Sequence, residues 1–273
     1  MVNSMDKTVL FADVLGFSTL SKTPGAQGAA DALSDLAFLL SSDDELAKLL
    51  QSPVWGERYG LSDSIFLVAE NPVHACAAAA EFFFNLSYVN HTAEAPVLLR
   101  GGIAIGEAVK VGPIFPESAK FNLVGEAVVR AVRLESDGPK GPRLLLAEEA
   151  ARALEDSSQP ESWLLSRNEA GKAEILWLLP PDPALANGLL IGEVCRTAFR
   201  LAKANGAHPS FGYHYVGYLD LAVRSLQRLV SIKPEEGATA LQISGLREEA
   251  PTLEGLLLTP ETILLDRLRS LTR

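Results

Sequence analysis

The sequence predicts an α+β fold: a ferredoxin-like core, an antiparallel-containing sheet packed with helices, followed by a helical C-terminal extension. Three observations predict it. Apolar segments of strand and helix character follow one another as strand, helix, strand, strand, helix, strand through the first 111 residues. The second and third strands are separated only by a short turn around residues 60–62, as a hairpin requires. Beyond the Pro180-Pro181-Asp182-Pro183 cluster the strand signal fades and helical periodicity takes over. The expected boundaries are therefore 1–180 for the α+β domain and 181–273 for the extension, which serves dimerisation or regulation.

Residues 7–14 read as a buried strand ending near Gly16. Residues 26–50 read as a helix, because Ala26, Ala29, Ala30, Leu33, Leu36, Ala37 and Leu40 recur at helical spacing. Residues 54–59 and 63–69 are the hairpin strands, 73–88 an alanine-rich buried helix, and 96–111 a long strand. A loop with Pro113 and Pro116 precedes a helix over 125–136, with Ala127, Val128, Ala131 and Val132 on its apolar side. A short strand at 144–146, a helix at 148–154 and a strand at 173–179 complete the first part. Helices over 185–204 and 214–231, and another from Thr259, make up the rest.

With 24 basic and 34 acidic side chains the net charge is −10, which argues against broad nucleic-acid binding. A nucleotide can still bind through a local cation or through metal ions. The two cysteines, Cys76 and Cys195, each lie in an apolar stretch and read as buried thiols of a reducing compartment. No signal peptide is visible, and the most apolar stretch, His74 to Leu86, is too short and too interrupted to span a bilayer. A cytoplasmic protein with no membrane span is the expectation.

Two acids stand out. Asp13 lies in Leu10-Phe11-Ala12-Asp13-Val14-Leu15, and Asp63 in Leu61-Ser62-Asp63-Ser64-Ile65-Phe66-Leu67. A carboxylate in a buried strand is unfavourable unless it is paired or neutralised. In a ferredoxin-like sheet the first strand lies beside the central hairpin, so the two acids can converge. Two carboxylates about 4 Å apart repel by about 4 kcal/mol at an effective dielectric of about 20. Divalent cations remove that repulsion, and oxygen ligands favour Mg²⁺ or Mn²⁺. The plain alternative is that either acid ends a strand and faces water.

Four segments in series resemble the class III nucleotide cyclases, spanning residues 7 to about 179. Phe11-Ala12-Asp13-Val14-Leu15-Gly16-Phe17 resembles the first metal motif, and Leu61-Ser62-Asp63-Ser64-Ile65 the second, with Ser62 where a glycine is usual. Residues 99–107, Leu-Arg-Gly-Gly-Ile-Ala-Ile-Gly-Glu, resemble the strand leading to the dimer arm. Residues 124–135, Val-Gly-Glu-Ala-Val-Val-Arg-Ala-Val-Arg-Leu-Glu, resemble the helix with the transition-state arginine. In that family the 3′-hydroxyl of a nucleoside triphosphate attacks its own α-phosphate and expels pyrophosphate. The resemblance implies a homodimer with active sites at the interface. It implies Asp13 and Asp63 as ligands of two divalent ions, and the backbone near Gly16 and Phe17 against the phosphates. It implies Arg133 as the catalytic arginine, given to the other subunit's site. The plain alternative for Arg133 is a solvated helix arginine.

The departures from the family bear on the substrate. Tyr59 stands four residues before Asp63, where adenylyl cyclases carry a base-reading lysine, and Asn122 falls at the second base-reading position. An asparagine amide both donates and accepts, which suits a pyrimidine edge. The pattern resembles the pyrimidine cyclases of bacterial antiphage systems, with UTP favoured over CTP; Tyr59 as a packing residue in a purine cyclase is the alternative. Val129 replaces the usual ribose-orienting asparagine four residues before Arg133. A phosphate lysine is expected near the last strand, where Lys172 is the nearest cation; a turn lysine is otherwise simply solvated. His74, His91, His208 and His214 lack zinc-like spacing and read as structural. The aromatic run from Phe211 to Tyr218 reads as packing against the core or a second subunit. Three readings stay open: a pyrimidine cyclase, an adenylyl or guanylyl cyclase, and an inactive cyclase-like module that binds a nucleotide or partner.

Overall fold

Strand β1 (Asp6–Val14) is buried on both faces: Leu10, Ala12 and Val14 enter one apolar cluster, and Val9 and Phe11 another. This two-sided burial is why it reads as a continuous apolar run rather than an alternating one. The computed structural model describes residues 6–15, 26–94, 96–112, 122–168 and 170–246.

After β1 come α1 (Ala26–Ser42) and α2 (Asp44–Leu50), where the periodicity predicts one helix. Asp43 divides them. Its Oδ1 accepts from the amides of Glu45 and Leu46 at 3.0 and 2.9 Å, so the side chain caps a new helix instead of continuing the old one. Strands β2 (Glu57–Leu61) and β3 (Ser64–Ala69) form the expected hairpin, and Ser62 and Asp63 make its turn. Asp63 thus stands in the turn, not inside the second strand. Ser62 holds φ at 55°, a left-handed conformation that glycine adopts more easily.

Helix α3 (Pro72–Val89) starts at Asn71, whose Oδ1 accepts from Val73 and His74, with Pro72 in the first turn. Strand β4 (Leu99–Glu107) follows, then a separate two-stranded ribbon of β5 (Val109–Val111) and β6 (Asn122–Val124). Helix α4 (Glu126–Asp137), β7 (Leu144–Leu146), α5 (Glu148–Glu155), β8 (Leu165–Arg167) and β9 (Ala173–Ile175) come next. The apolar run after β9 leaves the sheet at once. Trp177 donates its indole N–H to the carbonyl of Pro142 at 2.7 Å, so residues 176–179 are buried without a strand ladder. A short apolar run does not distinguish these cases.

The sheet runs β2-β3-β1-β4-β7-β9-β8, with only β4 and β7 parallel. The order β2-β3-β1-β4 is the ferredoxin-like arrangement, and the α+β class predicted from sequence is the one observed. Its two faces are covered differently. Helix α3 and the C-terminal helices bury one, and α4 the other. Adjacent glycines on β4 admit both layers. A Cβ on Gly101 would meet the ring of Phe83 from α3, and one on Gly102 would lie 2.3 Å from the carbonyl oxygen of Ala131 on α4.

Helices α6 (Gly188–Asn205), α7 (Gly212–Ile232) and α8 (Pro234–Ile243) share the first cluster with the sheet. Tyr218 stacks on Trp177 with centroids 5.9 Å apart, and its hydroxyl meets that of Ser87 at 2.8 Å. Gly217 lies backbone to backbone on Gly141, where any Cβ would strike the carbonyl of Lys140. Beside them is a buried quartet of charges. Arg143 Nη1 reaches both oxygens of Glu174 at 3.1 Å and its Nη2 pairs with Asp220. Arg224 pairs with Glu174 and Asp220 and donates to Ser166 at 3.1 Å. Among the described residues no helix is long and apolar enough to cross a membrane.

Breaking a buried pair leaves a charge uncompensated, whereas exposed pairs contribute little. Glu174→Ala is expected to lower stability by about 3–5 kcal/mol in urea unfolding. Glu148→Ala, which removes an exposed partner of Arg167, is expected to leave the urea midpoint nearly unchanged.

Candidate active site

Asp13 is the last polar residue of β1, and the register places Ser64 of β3 and Arg100 of β4 on either side of it. All three side chains point to the α4 face. Ser64 donates its hydroxyl to Asp13 Oδ1 at 2.9 Å, and Arg100 Nη2 lies 3.4 Å from Asp13 Oδ2. The β2–β3 turn brings Asp63 to the same end of the sheet, where the amide of Val14 donates to the Asp63 carbonyl at 3.2 Å. Burial pushes the Asp13 carboxyl up to about 6; the charge and hydrogen bonding of Asp63 add to the rise, while Ser64 and Arg100 oppose it. Of the two acids of the sequence expectation, Asp63 therefore lies close enough to raise the Asp13 carboxyl.

Two half-desolvated carboxylates suit a hard divalent cation, which would relieve their repulsion. Among the described residues no group of three or more His, Cys, Asp and Glu converges to hold a metal. Two carboxylates alone would leave most of such an ion's coordination to oxygens from outside the protein. Asp13 and Asp63 are the side chains that would hold it.

Arg100 and Glu135 complete the cluster, and the sequence reading assigned neither a role. Arg100 Nε forms a close ion pair with Glu135 of α4, whose side chain is only 6% exposed. Burial raises the Glu135 carboxyl, against the charges of Arg100 and Lys140. The signal in the sequence was Arg100 itself, a lone cation in the apolar run Val97-Leu98-Leu99-Arg100-Gly101-Gly102-Ile103. His214 from α7 stands nearby and accepts from the Gly141 amide at 3.3 Å. Burial, with the charges of Arg100 and Lys140, lowers it to about 4, so it is neutral at physiological pH.

Arg133 is placed elsewhere. Ala127 and Ala131 form the buried side of α4, whereas Arg133 and Val129 are exposed and share the outward side. Among the described residues the Arg133 guanidinium has no ion pair, and it does not join Asp13 and Asp63 within one chain. Tyr59 is half-buried on the second apolar cluster beside Phe66, and its hydroxyl donates to Glu57. Burial first, then that carboxylate, raise the phenol. Asn122 opens β6 and donates its amide to the Gly112 carbonyl at 3.2 Å across the ribbon. Lys172 Nζ donates to the Asp137 carbonyl at 3.1 Å, at the C-terminus of the Arg133 helix, where a cation is favoured. Gly16 and Phe17 lie outside the described residues.

No protein-family model matches the chain, and no curated protein matches it. Solved structures do show a resemblance. The adenylyl cyclase CyaB from P. aeruginosa is 17% identical, with 62% of this chain and 91% of that one covered at a TM-score of 0.46. The guanylyl cyclase Cya2 is 18% identical, with 62% and 88% covered at 0.46. A bacterial light-regulated adenylyl cyclase is 14% identical, with 71% and 98% covered at 0.48.

The raised Asp13 carboxyl has a measurable effect on stability. A folded state that binds its proton more tightly than the unfolded chain loses stability as pH rises from the ordinary value of 3.8 through about 6. Asp13→Asn removes that loss. Without divalent ions the variant is expected to be more stable than the parent at pH 7, by on the order of 2 kcal/mol, and to show no gain below about pH 4. Thermal or urea unfolding at the two pH values checks it.

Proposed function

We propose that this protein is a metal-dependent nucleotide cyclase acting as a homodimer. The observation that carries the reading is the meeting of Asp13 and Asp63 at one end of the sheet, two acids 50 positions apart in the chain. Held there, divalent ions would screen the charge of a triphosphate and favour attack by its 3′-hydroxyl. That oxygen forms a bond to the α-phosphorus, the bond from the α-phosphorus to the bridging oxygen breaks, pyrophosphate leaves, and the hydroxyl proton passes to solvent. Asp13 and Asp63 hold the cations, with Ser64 fixing one oxygen of Asp13.

Arg133 points away from its own acids, so its part belongs to a shared site. In the dimer Arg133 of the partner subunit stabilises the charge that grows on the phosphate oxygens, and each copy returns the favour. The extension from residue 181 supports this assembly or regulates it through α7, which rests on Gly141 just beyond the Arg133 helix.

For the base, Tyr59 and Asn122 support a pyrimidine. The Asn122 amide group already donates to Gly112, which leaves its carbonyl oxygen as an acceptor, and the N3–H of uracil is a fitting donor. UTP is thus the favoured substrate and the 3′,5′-cyclic monophosphate the product, a signal suited to antiphage defence. Val129, an exposed apolar residue where a ribose partner is expected, favours a second reading: an inactive nucleotide-binding module.

The full chain with Mn²⁺ and each of ATP, GTP, UTP and CTP separates these readings. Cyclisation of UTP with pyrophosphate release is expected, lost in Asp13→Ala and Asp63→Ala. Turnover of ATP or GTP alone would reject the pyrimidine reading, and no turnover of any would favour the inactive module. Arg133→Ala is expected to slow the reaction about a hundredfold or more. Mixing Asp13→Ala with Arg133→Ala chains should restore activity, because each mixed dimer keeps one complete site.

A further inference from the structure

The Arg100 guanidinium is shared between two carboxylates that hold it unequally. Nε makes the close pair with Glu135, and Nη2 leans on Asp13 Oδ2 at 3.4 Å. The geometry follows from one contact. Gly102 lets the α4 backbone come down on β4 at Ala131. Two residues back along the strand, on the same face, is Arg100; one turn on along the helix is Glu135. These steps are each roughly 6 Å, so the pair faces itself across the layers.

Arg100 stands beside the very oxygen that a cation on Asp13 needs, because Ser64 already occupies Oδ1. A fixed positive charge there competes with any divalent ion, and Coulomb repulsion at such range is strong. What draws the arginine away is Glu135, with a side chain 6% exposed against 15% for Asp13. Lys140 and the neutral His214 also flank the cluster, and neither replaces Glu135 as a partner on α4.

We propose that Glu135 is a positioning residue that holds Arg100 back from Asp13 and so sets the affinity of the Asp13–Asp63 site for a divalent cation. The inference rests on the proposed reading of these acids as a cation site. Without Glu135 the guanidinium settles on Asp13 and blocks the ion; without Arg100 the obstruction is gone.

The test is Mn²⁺ binding to the full-length, nucleotide-free protein at neutral pH, followed by the paramagnetic resonance signal of free Mn²⁺. Glu135→Gln is expected to weaken binding about tenfold and Arg100→Gln to tighten it about tenfold. Added to Arg100→Gln, Glu135→Gln should change binding by less than about twofold, because its action runs through the arginine. A purely structural role predicts loss in every variant, and direct attraction between Glu135 and the ion predicts the same loss in both backgrounds. Either result overturns the proposal. Should Arg100→Gln alone not fold, the double variant, with two neutral amides, decides: tighter binding than the parent supports the proposal and weaker or equal binding refutes it. Asp13→Asn separates the two levels. If the parent shows no Asp13-dependent Mn²⁺ binding, the cation-site reading fails; if it does and Glu135→Gln leaves it unchanged, only the positioning role fails.

Discussion

Asp13 carries a charge at the end of a strand that is otherwise buried on both faces, and its surroundings answer that electrostatic strain. A hydroxyl takes one oxygen and a guanidinium approaches the other, while a second acid arriving on a turn adds to the strain. The carboxyl's upward shift shows that these contacts do not fully offset desolvation. An acid kept in such a setting is poorly placed for stability and well placed for a ligand that brings positive charge.

The approach of α4 to the sheet organises the rest. Because Gly102 has no side chain, the helix lies directly on β4, which sends Glu135 inward to Arg100 and turns Val129 and Arg133 outward. One packing contact therefore sets both the charge balance at the acids and the direction of the exposed arginine. The proposed division of labour between two copies of the chain follows from that direction.

Much of this was legible in the sequence. The core elements follow apolar periodicity, and Asp13 and Asp63 stand out as acids flanked by strand-forming residues. The less legible parts depend on contacts between distant residues. Asp43 interrupts a periodic helix through its own capping bonds, and the last strand shortens because Trp177 finds its partner on Pro142. Arg100 and Glu135 lie in segments whose family likeness was visible, but their pairing depends on how closely a helix sits on a strand. Arg143, Glu174, Asp220 and Arg224 are scattered over 82 positions, and nothing in their local sequence announces a common site.

That quartet joins the C-terminal helices to the sheet with two positive and two negative groups, all at most 5% exposed. Mobile ions screen charges in water far more effectively than charges within a protein interior. The seam is therefore insulated from ionic strength: concentrated salt would loosen the surface pairs around Arg167 while the joint between α7 and the sheet keeps its grip.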